Sequence, residues 1–331
     1  MLKEKLPSQK ATHFIDILNT YPLANKKITN RSLQDIISYK EIKKETAGKF
    51  FFSDNRISDN ISDFNEILRV AMQLPIERYG DQLIVVSPVD FHGHESVIKG
   101  TISVLQKGAK GSPVNIVIPG YGNVPQILSI PYLSMNNQIQ DCTVVGIEIF
   151  HDLNAVDRVK VGSSIQNLQA AFAVAITATQ EAIHIAHEAG SKAVVIGGSF
   201  GAKTINAQLN LAEEHSLELA DRYIAIEGGR FQETFRGEYY RNKMKNTNIV
   251  DHPSLSEGYA FPNQVEVLPE ISRQLVTAFI NPHDEIALAQ ERCWNGSDRL
   301  ISIDGSHFTA PLKNIFRIRK IISEDLLGLN N

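Results

Sequence analysis

From residue 81 onward, short apolar runs alternate with helical stretches. The runs at 83–86, 114–118 (VNIVI), 143–150 (TVVGIEIF), 193–196 (AVVI), 222–226, 274–280 (QLVTAFI) and 299–303 (RLISI) have the length and composition of strands. Residues 99–105 (KGTISVL) alternate instead, as in a partly exposed strand. Between these runs, 161–190 reads as a long Ala-rich helix with Gly190 as its C-cap. Helical patterns also cover 201–213 and 286–292, and an amphipathic helix over 310–326 closes the chain. Such alternation predicts an α/β architecture, a mostly parallel sheet covered on both faces and joined by right-handed crossovers.

Two regions fall outside this rhythm. Residues 1–80 are rich in Lys, Asn, Ser and Ile and show no strong strand pattern. Within them, 62–73 (SDFNEILRVAMQ) predicts an amphipathic helix with Ser62 as N-cap, and a weaker helix is expected near 13–19. The division expected is an N-terminal helical or irregular extension, 1–80, packed on a main domain, 81–331. Two roles stay open for the extension, covering a site or forming a homo-oligomer. The second region, 228–270, is polar and aromatic, with Phe231, Phe235, Tyr239, Tyr240, Tyr259 and Phe261. It is too long for an ordinary connection in this architecture and reads as a functional insertion. Its basic run, 236–245, reads as a solvated face.

Composition narrows the function. The 331 residues, 43% hydrophobic and 21% charged, can bury a full core. A net charge of -4 argues against a nucleic-acid partner. Cys142 and Cys293 make no disulfide framework and have no metal-ligand spacing. No apolar stretch follows the N-terminal lysines, and no run is long enough to span a bilayer, so a soluble cytoplasmic protein is expected.

Gly197-Gly198-Ser199-Phe200-Gly201 matches G-x-S-x-G, and its context strengthens it. The apolar run 193–196 leads into the motif, and a helix leaves it. A serine on such a turn holds a strained backbone with its hydroxyl exposed. The helix N-terminus behind it favours a developing oxyanion. A serine hydroxyl needs a base. His184 and His187 sit at i and i+3 on the long helix, and His92 and His94 lie in FHGHE. Either pair could suggest a metal, but a solvated helix face and a polar turn account for them more simply. His307 follows the last strand, where ligands and catalysis collect in open α/β sheets. The base needs an orienting carboxylate. Asp284, after the penultimate strand, is the first choice, with Asp304 and Glu285 as alternatives.

With Ser199, Asp284 and His307 in that chain order, each on a loop after a strand, the sequence resembles the α/β-hydrolase superfamily, in particular its serine esterases and lipases. The resemblance covers roughly 81–326. It implies a Ser-His-Asp triad acting through an acyl-enzyme, with Ser199 as nucleophile, His307 as base and Asp284 as its orienting acid. It places Ile118-Pro119-Gly120-Tyr121-Gly122 at the oxyanion-hole loop, Pro119 standing where the family commonly has His. The backbone N–H groups of Tyr121 and Phe200 would then bind the oxyanion. Region 228–270 would be the cap or lid. No cofactor and no metal are implied. The expected partner is a small ester or acyl substrate with an apolar or aromatic group. Thioesterase, peptidase, carbon–carbon hydrolase and acyltransferase activities use the same residues, and a non-catalytic binding protein on this scaffold is the alternative from another class.

Overall fold

The computed structural model describes residues 76–79, 82–91, 94–120, 142–151, 165–243, 267–307 and 309–328. Nine strands form one sheet: β1 (Ile76–Tyr79), β2 (Gln82–Phe91), β3 (His94–Gln106), β4 (Val114–Ile118), β5 (Thr143–His151), β6 (Ala193–Gly198), β7 (Arg222–Ile226), β8 (Val276–Ile280) and β9 (Arg299–Ser302). Their spatial order is β1-β2-β3-β5-β4-β6-β7-β8-β9. Strands β4 to β9 run parallel, whereas β1, β2 and β3 join by antiparallel pairing, with β3 against β5. The sheet is therefore mostly parallel, as the apolar runs predict, with an antiparallel edge that their pattern does not reveal. Its outermost strand, β1, lies before residue 81. The helices expected at 13–19 and 62–73 lie outside the described residues.

Alternate side chains of each central strand serve opposite faces, as the pleat requires. Val195, Tyr223, Ala225 and Ala278 face α1 (Ile165–Glu188) and α2 (Phe200–Leu211) in the larger core. Val194, Ile196, Ile224, Ile226 and Phe279 face the opposite way, toward Ile318, Ile321 and Ile322 of the C-terminal helix. Every residue of β4, β6 and β8 is buried, which is why these strands read as unbroken apolar runs. Helix α1 lies across β2, β3 and β5 and ends at Gly190, whose φ of 69° is the left-handed cap expected there.

Among the described residues, the short helices α3 (Phe231–Arg236), α4 (Glu238–Lys243) and α5 (Glu270–Arg273) lie between β7 and β8, and α6 (Gln290–Cys293) lies between β8 and β9. The helix expected over 286–292 shrinks to α6 because Ala289 is left-handed at φ 56°, which interrupts helical geometry just before Gln290. The terminal helix divides into α7 (Ala310–Lys313) and α8 (Ile315–Gly328), with Asn314 leaving helical geometry between them at φ -100°. Among the described residues, no helix is long and apolar enough to cross a membrane.

Candidate active site

Ser199 joins β6 to α2 on a turn that admits almost no side chain beside it. A Cβ on Gly201 would lie 2.1 Å from the Ile118 carbonyl oxygen, and one on Gly197 would lie 2.4 Å from the Gly201 carbonyl carbon. The end of β4 thus packs directly against this turn, and the loop that follows Ile118 leaves from beside Ser199. Ser199 itself has φ 51° and ψ -103°, a sparsely populated conformation for a residue with a side chain. It occupies the N-cap position of α2, yet its side chain makes no capping hydrogen bond. The hydroxyl is directed instead at His307, with Oγ 2.9 Å from Nε2.

His307 follows β9 and is buried, and its Nδ1 lies 2.7 Å from Asp284 Oδ2. Asp284 comes from the loop after β8 and is held on both oxygens. Oδ1 accepts from the N–H groups of Ile286 (2.8 Å) and Ala287 (2.9 Å). Oδ2 accepts from Gln290 Nε2 (2.7 Å) besides His307. Burial works to raise the pKa of Asp284. The hydrogen bond from His307, that ring's charge and the two backbone N–H groups outweigh it, holding the carboxyl below the ordinary aspartate value. An ionised Asp284 can only accept, so Nδ1 of His307 carries the proton and donates it. The Nε2 lone pair is then available to accept from the Ser199 hydroxyl, the arrangement a general base requires.

The two alternative acids face solvent. Asp304 and Glu285 are both exposed. The pair His184 and His187 is engaged by carboxylates of Glu218, Asp221 and Glu188 near the start of β6 and β7, the opposite end of the strands from Ser199. His92 lies outside the described residues, as does Tyr121. The N–H of Phe200 is the first of α2. Its ring stacks on Phe172 at 4.3 Å between centroids, and Phe172 meets Phe231 edge-on at 4.7 Å.

Several residues were not anticipated. Asn281 ties together the ends of three strands: its Nδ2 donates to Gly305 O (2.8 Å) after β9 and reaches Glu227 Oε1 (3.4 Å) after β7. Gln290 braces the same loop, accepting from the Asn281 N–H while donating to Asp284. Lys203, one turn into α2, is buried and donates to Gly229 O (2.7 Å) and Thr234 Oγ1 (3.0 Å). Burial pushes its ammonium down to about 8, against the pull of Asp284 and Glu233. With Trp294 Nε1 donating to Gly228 O at 2.6 Å, Lys203 pins the start of region 228–270 to α2 and the end of α6. Glu227 directly follows β7, is buried, and has a left-handed φ of 54°. Its position right after a strand was the available signal, obscured by the two glycines behind it.

The donor atoms of Glu227, Asp284 and His307 lie within 4.8 Å of one another, close enough to face a cation. Within the cluster Asp284 and His307 are hydrogen-bonded to each other, and His307 to Ser199.

The described residues form an α/β fold, a mostly parallel sheet with helices on both faces. No protein-family model matches the sequence, and a search of curated proteins returns no match. Similar solved structures include Est1E from Butyrivibrio proteoclasticus, 13% identical, covering 73% of this chain and 99% of that one with a TM-score of 0.40. The Pyrobaculum calidifontis esterase is 11% identical, covering 89% and 94% with a TM-score of 0.44. Thermogutta terrifontis esterase 2 is 14% identical, covering 74% and 94% with a TM-score of 0.42. At such identities the chemistry must be read from this chain's own side chains.

Proposed function

We infer that this protein is a serine hydrolase that cleaves a carboxylic ester or a related acyl bond through an acyl-enzyme intermediate. The observation that supports this reading most is the relay of Ser199 Oγ, His307 and Asp284, linked at 2.9 Å and 2.7 Å. In the proposed sequence, Ser199 Oγ attacks the acyl carbon while His307 Nε2 takes its proton. Asp284 keeps the imidazole in the required tautomer and stabilises its charged form. The Phe200 N–H, joined by the Tyr121 N–H if that loop serves as the resemblance implies, binds the oxygen that becomes negative. His307 then protonates the leaving group, and a water activated by the same nitrogen releases the acid and restores Ser199.

Region 228–270 is the proposed cap. Its beginning is anchored by Lys203 and Trp294. We propose a small ester with an apolar or aromatic group as the substrate class. A panel of activated esters and thioesters of graded chain length, run beside Ser199→Ala, tests the reading. Turnover should concentrate in one length range and vanish in the variant. Equal turnover by the variant would remove the reading.

A further inference from the structure

We propose that Glu227 is a second positioning acid for His307, poised to take over the Nδ1 contact when Asp284 cannot make it. The proposal rests on the relay described above. Three strand ends converge on the imidazole: β9 carries His307 itself, β8 supplies Asp284, and β7 supplies Glu227. Glu227 Oε2 lies 3.9 Å from the same ring nitrogen that Asp284 contacts at 2.7 Å. That is about 1 Å beyond a hydrogen bond, a gap that a small side-chain rotation closes. The carboxyl is buried, and its hydrogen bond from Asn281 Nδ2 is long at 3.4 Å, so little holds it away from the ring. Its backbone is costly: a non-glycine residue at φ 54° is held there by its N–H bond to Phe279 O, and the result is a carboxyl aimed into a buried site.

Charge explains why one acid serves at a time. The groups facing Glu227 are Asp284 and Glu285 from the loop after β8, His307 from the loop after β9, and the neutral amide of Asn281. Burial first, then the Asp284 charge, push Glu227 up to about 8, with Asn281 opposing and Glu285 adding to the rise. Two carboxylates this close in a buried site do not both ionise readily. Near neutral pH Asp284 therefore holds the charge and Glu227 the proton. Removing the Asp284 charge removes one of the forces keeping Glu227 neutral. Its proton then leaves for solvent at a lower pH than in the wild type, although burial still opposes it, and above that pH its carboxylate can accept from His307 Nδ1–H.

A double-mutant cycle tests this, with activated-ester hydrolysis and fluorophosphonate labelling of Ser199 measured across pH on the full chain. The four proteins are wild type, Asp284→Ala, Glu227→Gln and the double variant, with Asp284→Asn added because it keeps an acceptor for the Ile286 and Ala287 N–H groups. Neutralising the sole acid of such a triad lowers turnover about 10⁴-fold. With a second acid present, Asp284→Ala should fall well short of that loss. Glu227→Gln should then cost at least about tenfold more in the Asp284→Ala background than beside Asp284, a coupling that independent sites do not show. Activity of Asp284→Ala should also rise with pH along a limb that the double variant lacks. Equal rates and identical pH profiles for Asp284→Ala and the double variant would overturn the proposal while leaving the relay intact. A folded wild type that neither labels at Ser199 nor turns over esters would overturn both.

Discussion

Histidines meet carboxylates at both ends of the parallel strands, and the two sites have opposite chemistry. At the carboxyl end, His307 faces Asp284 with one nitrogen and the Ser199 hydroxyl with the other. At the amino end, His187 faces Glu218 with one nitrogen and Asp221 with the other. A ring between two carboxylates donates from both nitrogens and is held as the cation. The hydrogen bond to Asp221 raises the pKa of His187, against burial and with help from Glu218. Such a ring has no lone pair left to act as a base. A ring between a carboxylate and a hydroxyl keeps one, and the neighbouring oxygen is the atom it can activate. Residue types alone therefore do not distinguish an acid–base site from an ion pair. The identity of the second partner does, together with burial: Asp284 is 5% exposed, whereas Lys192 and His184 of the other network have side chains 55% and 48% exposed.

The sharpest way to break this contrast is to remove each histidine in turn. His307→Ala should lower ester turnover by at least about 10³-fold, as expected for a triad member. His187→Ala should leave turnover within about twofold, and cost about 1–3 kcal/mol in denaturant unfolding because it gives up two half-buried charge-assisted hydrogen bonds. Comparable losses of activity from both would erase the distinction. Stability should show the same asymmetry between buried and exposed anchors. Trp294→Ala removes a fully buried indole and leaves the Gly228 carbonyl unpaired, so a loss of about 3–5 kcal/mol is expected in equilibrium unfolding. Lys192→Ala, which breaks only an exposed pair with Asp221, should cost less than ~1 kcal/mol, and salt should shrink that difference further.

The pH dependence sharpens the comparison further. Glu227 is raised in the folded protein from 4.5 to about 8, so the folded state holds a proton that the unfolded chain has released. Its contribution is full below the unfolded value and is lost as pH rises through the folded one. Stability should therefore fall by up to about 1.4 kcal/mol per pH unit within that window, and Glu227→Gln should remove the fall. His187 acts in the same direction, its contribution present below its ordinary 6.5 and lost as pH rises through its higher folded value. Asp284 works in the opposite sense: its contribution is present above the ordinary 3.8 and is lost as pH falls through its lower folded value. Unfolding curves of wild type and Glu227→Gln from pH 4.5 to 9 check the first effect, and a difference independent of pH would contradict it.

Much of this was legible in the chain because strand ends are. Each of Ser199, Asp284 and His307 follows an apolar run, and the rule that chemistry gathers at the carboxyl ends of parallel strands selects them. The residues that hold the relay were harder to see. Asn281 and Gln290 matter only through contacts with loops far away in sequence, and no periodicity reports such contacts. Lys203 has the spacing of an ordinary polar helix residue, yet it is buried because the chain after β7 folds back over α2. The antiparallel edge escaped for another reason: an apolar run gives a strand its length but not the direction of its neighbour. The helix expected over 286–292 fell short at Ala289, whose left-handed backbone no residue pattern announces.

The central claim is that the Ser199 oxygen is made nucleophilic by a buried imidazole. Fluorophosphonate labelling of the folded full-length chain, with the modified residue mapped by mass spectrometry, addresses it directly. The account predicts a single adduct on Ser199 that is lost in Ser199→Ala and forms far more slowly in His307→Ala. Labelling at the wild-type rate without His307, or an adduct on any other residue alone, would contradict it.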